Sequence, residues 1–265
     1  MIRIPLFQVE FKRNPIAFWL GNIPIYWYAI LITTAIVLFL TMAKKRVKKY
    51  SFDYQTILDM LLWVLPASFL CARIYYILFS PTPYESWQEM LNLRDGGLAI
   101  YGGIIGGAIG LFFYCKKKRI SFLEMTDFIV PYLALGQAIG RWGNFINIEA
   151  YGNETNVPWR MEIWKNEDWI GAHPTFLYES ILDFAIFLFL VYLEKKDHFD
   201  GLLTYCYLIL YSFARMWIES IRSDSLLFFG AKISQILSLF ICLIFCIILQ
   251  KRIKKEKRSK LKHIN

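Results

Sequence analysis

Histidine and charge are scarce in this chain. Its 265 residues include three histidines, and charged residues make up only 19%. Soluble domains usually carry about 25% charge. The histidines are His173, His198 and His263, and no HExxH is present, so a zinc or di-iron centre finds no ligand set. The five cysteines, Cys71, Cys115, Cys206, Cys242 and Cys246, are odd in number and form no CxxC pair. They lie in or beside apolar segments and read as small buried hydrophobes, without a disulfide framework. P-loop, GxSxG and HxxxxD patterns are missing too, which withdraws support from nucleotide hydrolysis and serine-hydrolase chemistry. The first 20 residues hold Arg3, Glu10, Lys12 and Arg13 and no long apolar core, so no cleavable signal peptide is expected there.

What the chain has in abundance is apolar surface. Hydrophobic residues make up 57% and aromatics 18%, and mean hydropathy is +0.40. The apolar residues come in runs, such as AILITTAIVLFL at 29–40 and ILSLFICLIFCIIL at 236–249. This excludes a disordered chain, a secreted disulfide scaffold and a cytosolic enzyme. It predicts an all-α integral membrane protein, read as one polytopic domain over 1–265. Seven segments are candidate spans: 22–42, 56–79, 97–115, 126–145, 174–193, 201–221 and 231–250. Two intervening segments, 80–96 and 146–172, are long enough to form a small external cap. Trp159, Trp164 and Trp169 in the second suit either an interfacial belt or a cover over a site.

The formal net charge of +9 has a direction. Basic blocks follow the first segment (Lys44, Lys45, Arg46, Lys48, Lys49), the third (Lys116, Lys117, Lys118, Arg119), the fifth (Lys195, Lys196) and the seventh, whose tail 251–265 is the most basic stretch of all. With seven spans these blocks fall on one side, which predicts an external N-terminus and a cytoplasmic C-terminus. The basic tail reads as an anchor at anionic lipid, and nucleic acid is not expected as a partner.

Three arginines interrupt the apolar segments: Arg73, Arg141 and Arg215. Each costs roughly 2.5–3.5 kcal/mol at a helix centre. They must lie near an end, be paired, or line a wet or headgroup cavity. Gln137, Arg141 and Asn144 are spaced i, i+4, i+7 and share one helical face. Asn147 and Glu149 follow at the end of that helix. A guanidinium, several amides and a carboxylate thus converge near an interface, and arginine matches phosphate bidentately while keeping its charge. In segment six, Arg215, Glu219 and Arg222 repeat the spacing, with Asp224 beyond. A self-neutralising ion-pair stripe and a ligand site are both open there. Gly102, Gly106 and Gly110 recur every fourth residue and read as helix packing. Tyr101, flanked by glycines, reads as an interfacial tyrosine or a ligand contact. His173-Pro174 opens segment five, followed by Tyr178 and Glu179.

These residues carry a resemblance. GRWGNFINIEAYG at 140–152 resembles the signature of the bacterial prolipoprotein diacylglyceryl transferases. Trp27-Tyr28, Ala72-Arg73-Ile74-Tyr75-Tyr76, DGGLAIYGGIIG at 95–106, AHPTFLYES at 172–180 and ARMWIESIR at 214–222 agree with it in order along nearly the whole chain. The resemblance implies transfer of a diacylglyceryl group from phosphatidylglycerol to the lipobox cysteine of a prolipoprotein signal peptide, at the bacterial cell membrane. A thioether forms and glycerol phosphate is released. It implies no metal or soluble cofactor. It also implies roles: Arg141 and Arg215 bind and neutralise the phosphate, Asn144, Asn147, Glu149 and Gly152 shape the headgroup site, Tyr28 lines it, and Glu219 and Arg222 hold the segment-six constellation. One position departs. Many members have histidine where this chain has Tyr101. A phenol is a poor base at neutral pH, so Tyr101 is expected to position substrate by a hydrogen bond. The competing functional reading is a lipid or solute transporter, which intramembrane arginines and glycine-broken helices also fit. No internal repeat supports it.

Overall fold

The computed structural model describes residues 1–12, 14–80, 84, 86–91, 96–165, 167–223, 227–228 and 230–264. Arg13, Arg94, Asp95 and Asp224, singled out by the sequence, lie outside the described residues. All seven expected segments fall on long helices. These are α1 (Trp27–Arg46), α2 (Tyr54–Leu78), α4 (Ile100–Lys118), α5 (Phe122–Asn147), α6 (Thr175–Leu193), α7 (Leu202–Ile221) and α8 (Ile233–Ile264); a short α3 (Trp87–Leu91) lies between α2 and α4. Among the described residues four stretches are long and apolar enough to cross a membrane: Trp27–Lys49, Tyr54–Leu78, Thr175–Leu193 and Ile233–Arg258. α8 runs unbroken from its apolar half into the basic tail.

The chain is not purely helical. A four-stranded antiparallel sheet has the order β2-β1-β5-β6, from β1 (Ile2–Ile4), β2 (Val9–Phe11), β5 (Met161–Lys165) and β6 (Asp168–Ala172). Two small hairpins join it: β3 (Ile16–Leu20) with β4 (Ile23–Tyr26), and β7 (Leu227–Phe228) with β8 (Ala231–Lys232). All three lie between or before the long apolar helices, where water can satisfy strand edges. β5 alternates, with Met161 and Ile163 buried beside a partly exposed Glu162, which is the period of a half-covered strand. β4 also corrects the start of the first segment. Pro24 sits in the hairpin, and the helix begins only at Trp27, because proline cannot donate to a helix interior.

Two compact units divide the chain, one of residues 1–40 and 129–265, the other of residues 41–128. In the first, Ile2, Met161, Ile163 and Ala172 of the sheet bury against Phe176 of α6, with Phe145, Ile148 and Tyr151 packed around them. Phe145 and Phe176 approach to 4.6 Å between ring centroids. Trp142 donates to Ser180 Oγ at 3.2 Å, and that hydroxyl donates on to the Ala138 carbonyl at 2.8 Å. The end of α5 and the start of α6 are therefore fixed to each other by both ring packing and hydrogen bonds.

In the second unit α2 and α4 pack closely. A Cβ at Gly106 would come within 2.5 Å of Cys71 Cβ, and one at Gly110 within 3.0 Å of Ala67 Cβ, so the glycine repeat is the helix contact expected of it. Asp53 caps α2, accepting from the Thr56 hydroxyl (2.7 Å) and backbone N–H (2.8 Å). These bonds hold its carboxyl below the usual carboxylate range. Arg73, 9% exposed, donates to four backbone carbonyls: Met90 (2.8 Å), Glu89 (2.9 Å), Gly96 (2.9 Å) and Gly97 (3.0 Å). It is a structural clamp on the chain leading into α4.

Candidate active site

Helices α5, α6 and α7 bring three arginines onto one carboxylate. Glu179 of α6, its side chain 6% exposed, meets Arg141 of α5 through Oε2 and Arg215 of α7 through Oε1 at 2.9 Å. Arg222 stands 3.7 Å from the same Oε1. Arg215 also pairs with Glu219, four residues on, at 2.6 Å. The i, i+4, i+7 stripe of α7 is thus partly the self-neutralising pair its spacing allowed. Its second arginine contact reaches another helix. Counted by formal charge, three guanidiniums face Glu179 and Glu219, an excess of one positive charge among these five groups. The arginine side chains keep 12–19% exposure, so none of the three is fully enclosed.

Deeper in the unit, Asp183 lies one turn beyond Glu179 on α6 and is 2% exposed. Its Oδ2 has no hydrogen-bond partner among the described residues. Tyr207 donates to Gln137 Oε1 at 2.8 Å and stacks on Tyr211 with centroids 5.7 Å apart. Gln137, one turn before Arg141, therefore ties α5 to α7.

The end of α5 and the segment after it form a second polar group. Asn144 donates to Glu149 Oε1 at 2.9 Å, and Asn147 lies 3.4 Å from the same oxygen. Glu149 sits between Ile148 and Ala150, both left-handed, at φ 55° and 57°. Such backbone costs about 1–2 kcal/mol per residue, and persists here because its neighbours are tied down. Thr175 Oγ1 donates to the Ala150 carbonyl, and Glu149 N–H to the Asn144 carbonyl at 3.0 Å. Gly152 then passes between two elements. A Cβ there would stand 2.7 Å from His173 Cβ and 2.9 Å from the Ile221 carbonyl, so only glycine fits. Its N–H donates to the His173 carbonyl (3.0 Å), and Asn153 N–H to that of Ile221 (2.7 Å). Tyr28, in the first turn of α1, lays its ring where a Cβ at Gly143 would be. Trp159 donates to the Tyr178 hydroxyl at 2.7 Å, which lies 3.3 Å from His173 Nδ1.

Of the residues expected from sequence, Arg141, Arg215, Glu219 and Arg222 meet around Glu179, while Asn144, Asn147 and Glu149 form an adjoining polar group, with Gly152 beside the end of α7. Tyr28 packs on the same helix as Arg141. Tyr101 belongs to the second unit, where it is 42% exposed and its ring lies 6.4 Å from that of Tyr75. The central residue, Glu179, was not among the expected site residues. Charge balance could have found it. Arg141 has Gln137, Ala138, Asn144 and Phe145 at i±3 and i±4, none of them acidic, so its counter-charge has to come from another segment.

The chain is mostly helical, with helices long and apolar enough to suit a membrane protein, and three of its arginines meet on one buried carboxylate. The comparisons narrow this. The prolipoprotein diacylglyceryl transferase family model matches residues 15–250, and the chain belongs to that family. It is 47% identical over 243 residues to the phosphatidylglycerol–prolipoprotein diacylglyceryl transferase of Finegoldia magna, covering 91% of this chain and 96% of that protein. It is 40% identical over 260 residues to transferase 1 of Clostridium perfringens, covering 93% and 98%. The Clostridioides difficile transferase is 41% identical over 225 residues, covering 84% and 89%.

Proposed function

We propose that this protein is an enzyme that transfers the diacylglyceryl group of phosphatidylglycerol to the lipobox cysteine of prolipoproteins. Family membership over most of the chain supports the reaction, and the three arginines on Glu179 carry the reading of where its phosphate binds. A transporter is not favoured.

In this reading seven helices span the cell membrane with the N-terminus outside, and the segments that form the sheet lie on the outer side. The acceptor is a thiol of ordinary pKa about 8.5, whose thiolate is the nucleophile. Sulfur attacks the glycerol carbon bearing the phosphate. The S–C bond forms as the C–O bond breaks, and the electron pair leaves on the phosphate. The thiol proton passes to water or to the departing phosphate. Negative charge grows on the leaving group, and preformed guanidiniums aimed at it lower the barrier. Arg141 and Arg215 supply that term. Arg222 and Glu219 complete the clamp, Asn144, Asn147 and Glu149 hold the glycerol headgroup, and Tyr28 and Gly152 shape the entry.

The test is transfer in vitro. Purified protein, phosphatidylglycerol labelled in its diacylglycerol part and a lipobox peptide should give a peptide heavier by one diacylglyceryl unit. Replacing the acceptor cysteine by serine should abolish the gain, and Arg141→Ala should abolish it with the protein still inserted. Normal transfer by Arg141→Ala would remove the phosphate assignment.

A further inference from the structure

The last turn of α7 carries Glu219 of the cluster, with Arg222 in the capping position just beyond it, and carbonyls at a helix end run short of N–H partners along the helix; that of Glu219 accepts from Arg222 N–H at 3.3 Å. One side chain answers three of them. Lys232 of β8 donates through Nζ to the carbonyls of Glu219 (2.6 Å), Ser220 (3.2 Å) and Arg222 (2.8 Å). The fourth, Ile221, accepts from Asn153 N–H. The four consecutive carbonyls 219–222 are thereby all satisfied. Lys232 reaches them because the β7–β8 hairpin turns the chain back, pairing Leu227 with Lys232 and Phe228 with Ala231. Gly230, at φ 79°, supplies the left-handed turn.

We propose that Lys232 is a positioning residue of the phosphate clamp. This rests on the lipid-phosphate reading given above. It acts in two ways. Bonded to the backbone of Glu219 and Arg222, it fixes where those side chains leave the helix. Its charge also cancels the negative end of the α7 dipole, about half an elementary charge. Without it, the negative end of the helix would stand beside Arg222 with no lysine charge against it and would oppose an anionic headgroup.

The experiment uses the full chain in nanodiscs, with Lys232→Met and Lys232→Arg beside the wild type. Three quantities are read: the KM and kcat of transfer for each substrate, the melting temperature, and phosphatidylglycerol retained against phosphatidylcholine without peptide. Lys232→Met should raise the KM for phosphatidylglycerol about tenfold and weaken its retention to match. The KM for the lipobox peptide should stay within about twofold. Lys232→Arg, which keeps charge and donors, should recover most of the loss. The proposal is overturned if both KM values move together, or if only the melting temperature drops while the folded enzyme keeps wild-type kinetics. Failure of the wild type to form thioether would strike the transferase reading instead, and the lipid-retention comparison would still decide the role of Lys232.

Discussion

Glu179→Gln is the sharpest test of the cluster. The substitution keeps the shape of the side chain and removes its charge. Two contacts are at hydrogen-bond distance in the native protein, to Arg141 and to Arg215. Bonds to a charged group contribute about 1.5–3 kcal/mol and neutral ones about 0.5–1.5, so each contact weakens by about 1 kcal/mol. The third guanidinium, Arg222, lies further away and is left out of the estimate. If the combined loss of about 2 kcal/mol is expressed as misplacement of the guanidiniums in the transition state, kcat/KM falls roughly 30-fold. Melting temperature falls as well, because three positive groups then face Glu219 alone. Initial rates of labelled transfer, measured on variant protein that elutes as the folded species, give the ratio. Glu179→Asp keeps the charge but shortens the reach by one methylene, and should lose less than the glutamine variant. Transfer by Glu179→Gln within twofold of wild type would refute the claim that this carboxylate organises the arginines.

Three further outcomes follow from the geometry. Arg73→Met strips four backbone carbonyls of their donor, at a cost on the order of 3 kcal/mol or more; the yield of folded protein should drop while the folded fraction keeps transferring, and a well-folded but inactive variant would show that Arg73 does chemistry. Gly143→Ala pushes a methyl into the Tyr28 ring, an overpacking of about 1–3 kcal/mol, and should lower both melting temperature and transfer, whereas Gly140→Ala, with nothing within 4 Å of its Cβ, should change neither. Asp53 has a folded-state pKa below its unfolded one, so its capping contribution is present above the ordinary carboxylate range and is lost as pH falls through the lowered value; melting temperature of the wild type against Asp53→Ala should converge as pH is taken below about 4.

The polar faces of α5 and α7 were legible because helical spacing alone aligns Gln137 with Arg141 and Asn144, and Arg215 with Glu219 and Arg222. The glycine repeat of α4 was legible for the same reason. Glu179 was hidden by its surroundings. It sits in an apolar stretch, and its meaning comes from helices whose relation to α6 no local pattern encodes. The sheet was missed because hydropathy windows of span length average over strands of three to five residues, and because β1 pairs with a strand more than 150 residues away. Lys232 stands at the start of the seventh segment, where no spacing singles it out. Its three carbonyl acceptors belong to a different helix, and the hairpin that delivers it is only two pairs long.

The placement of β1 has a consequence for biogenesis. Ile2–Ile4 is an inner strand, bonded on one side to β2 and on the other to β5, with Ile2 opposite Ile163. Its second neighbour leaves the ribosome some 160 residues after it. At about 5–20 residues per second, that is a delay of roughly 8–30 s. During this interval the β1–β2 hairpin stands with one raw edge, while the helices that carry the arginines are still being made. The sheet is therefore completed only after α5 has been synthesised, so that its closure reports that the helix bearing Arg141 has already been made.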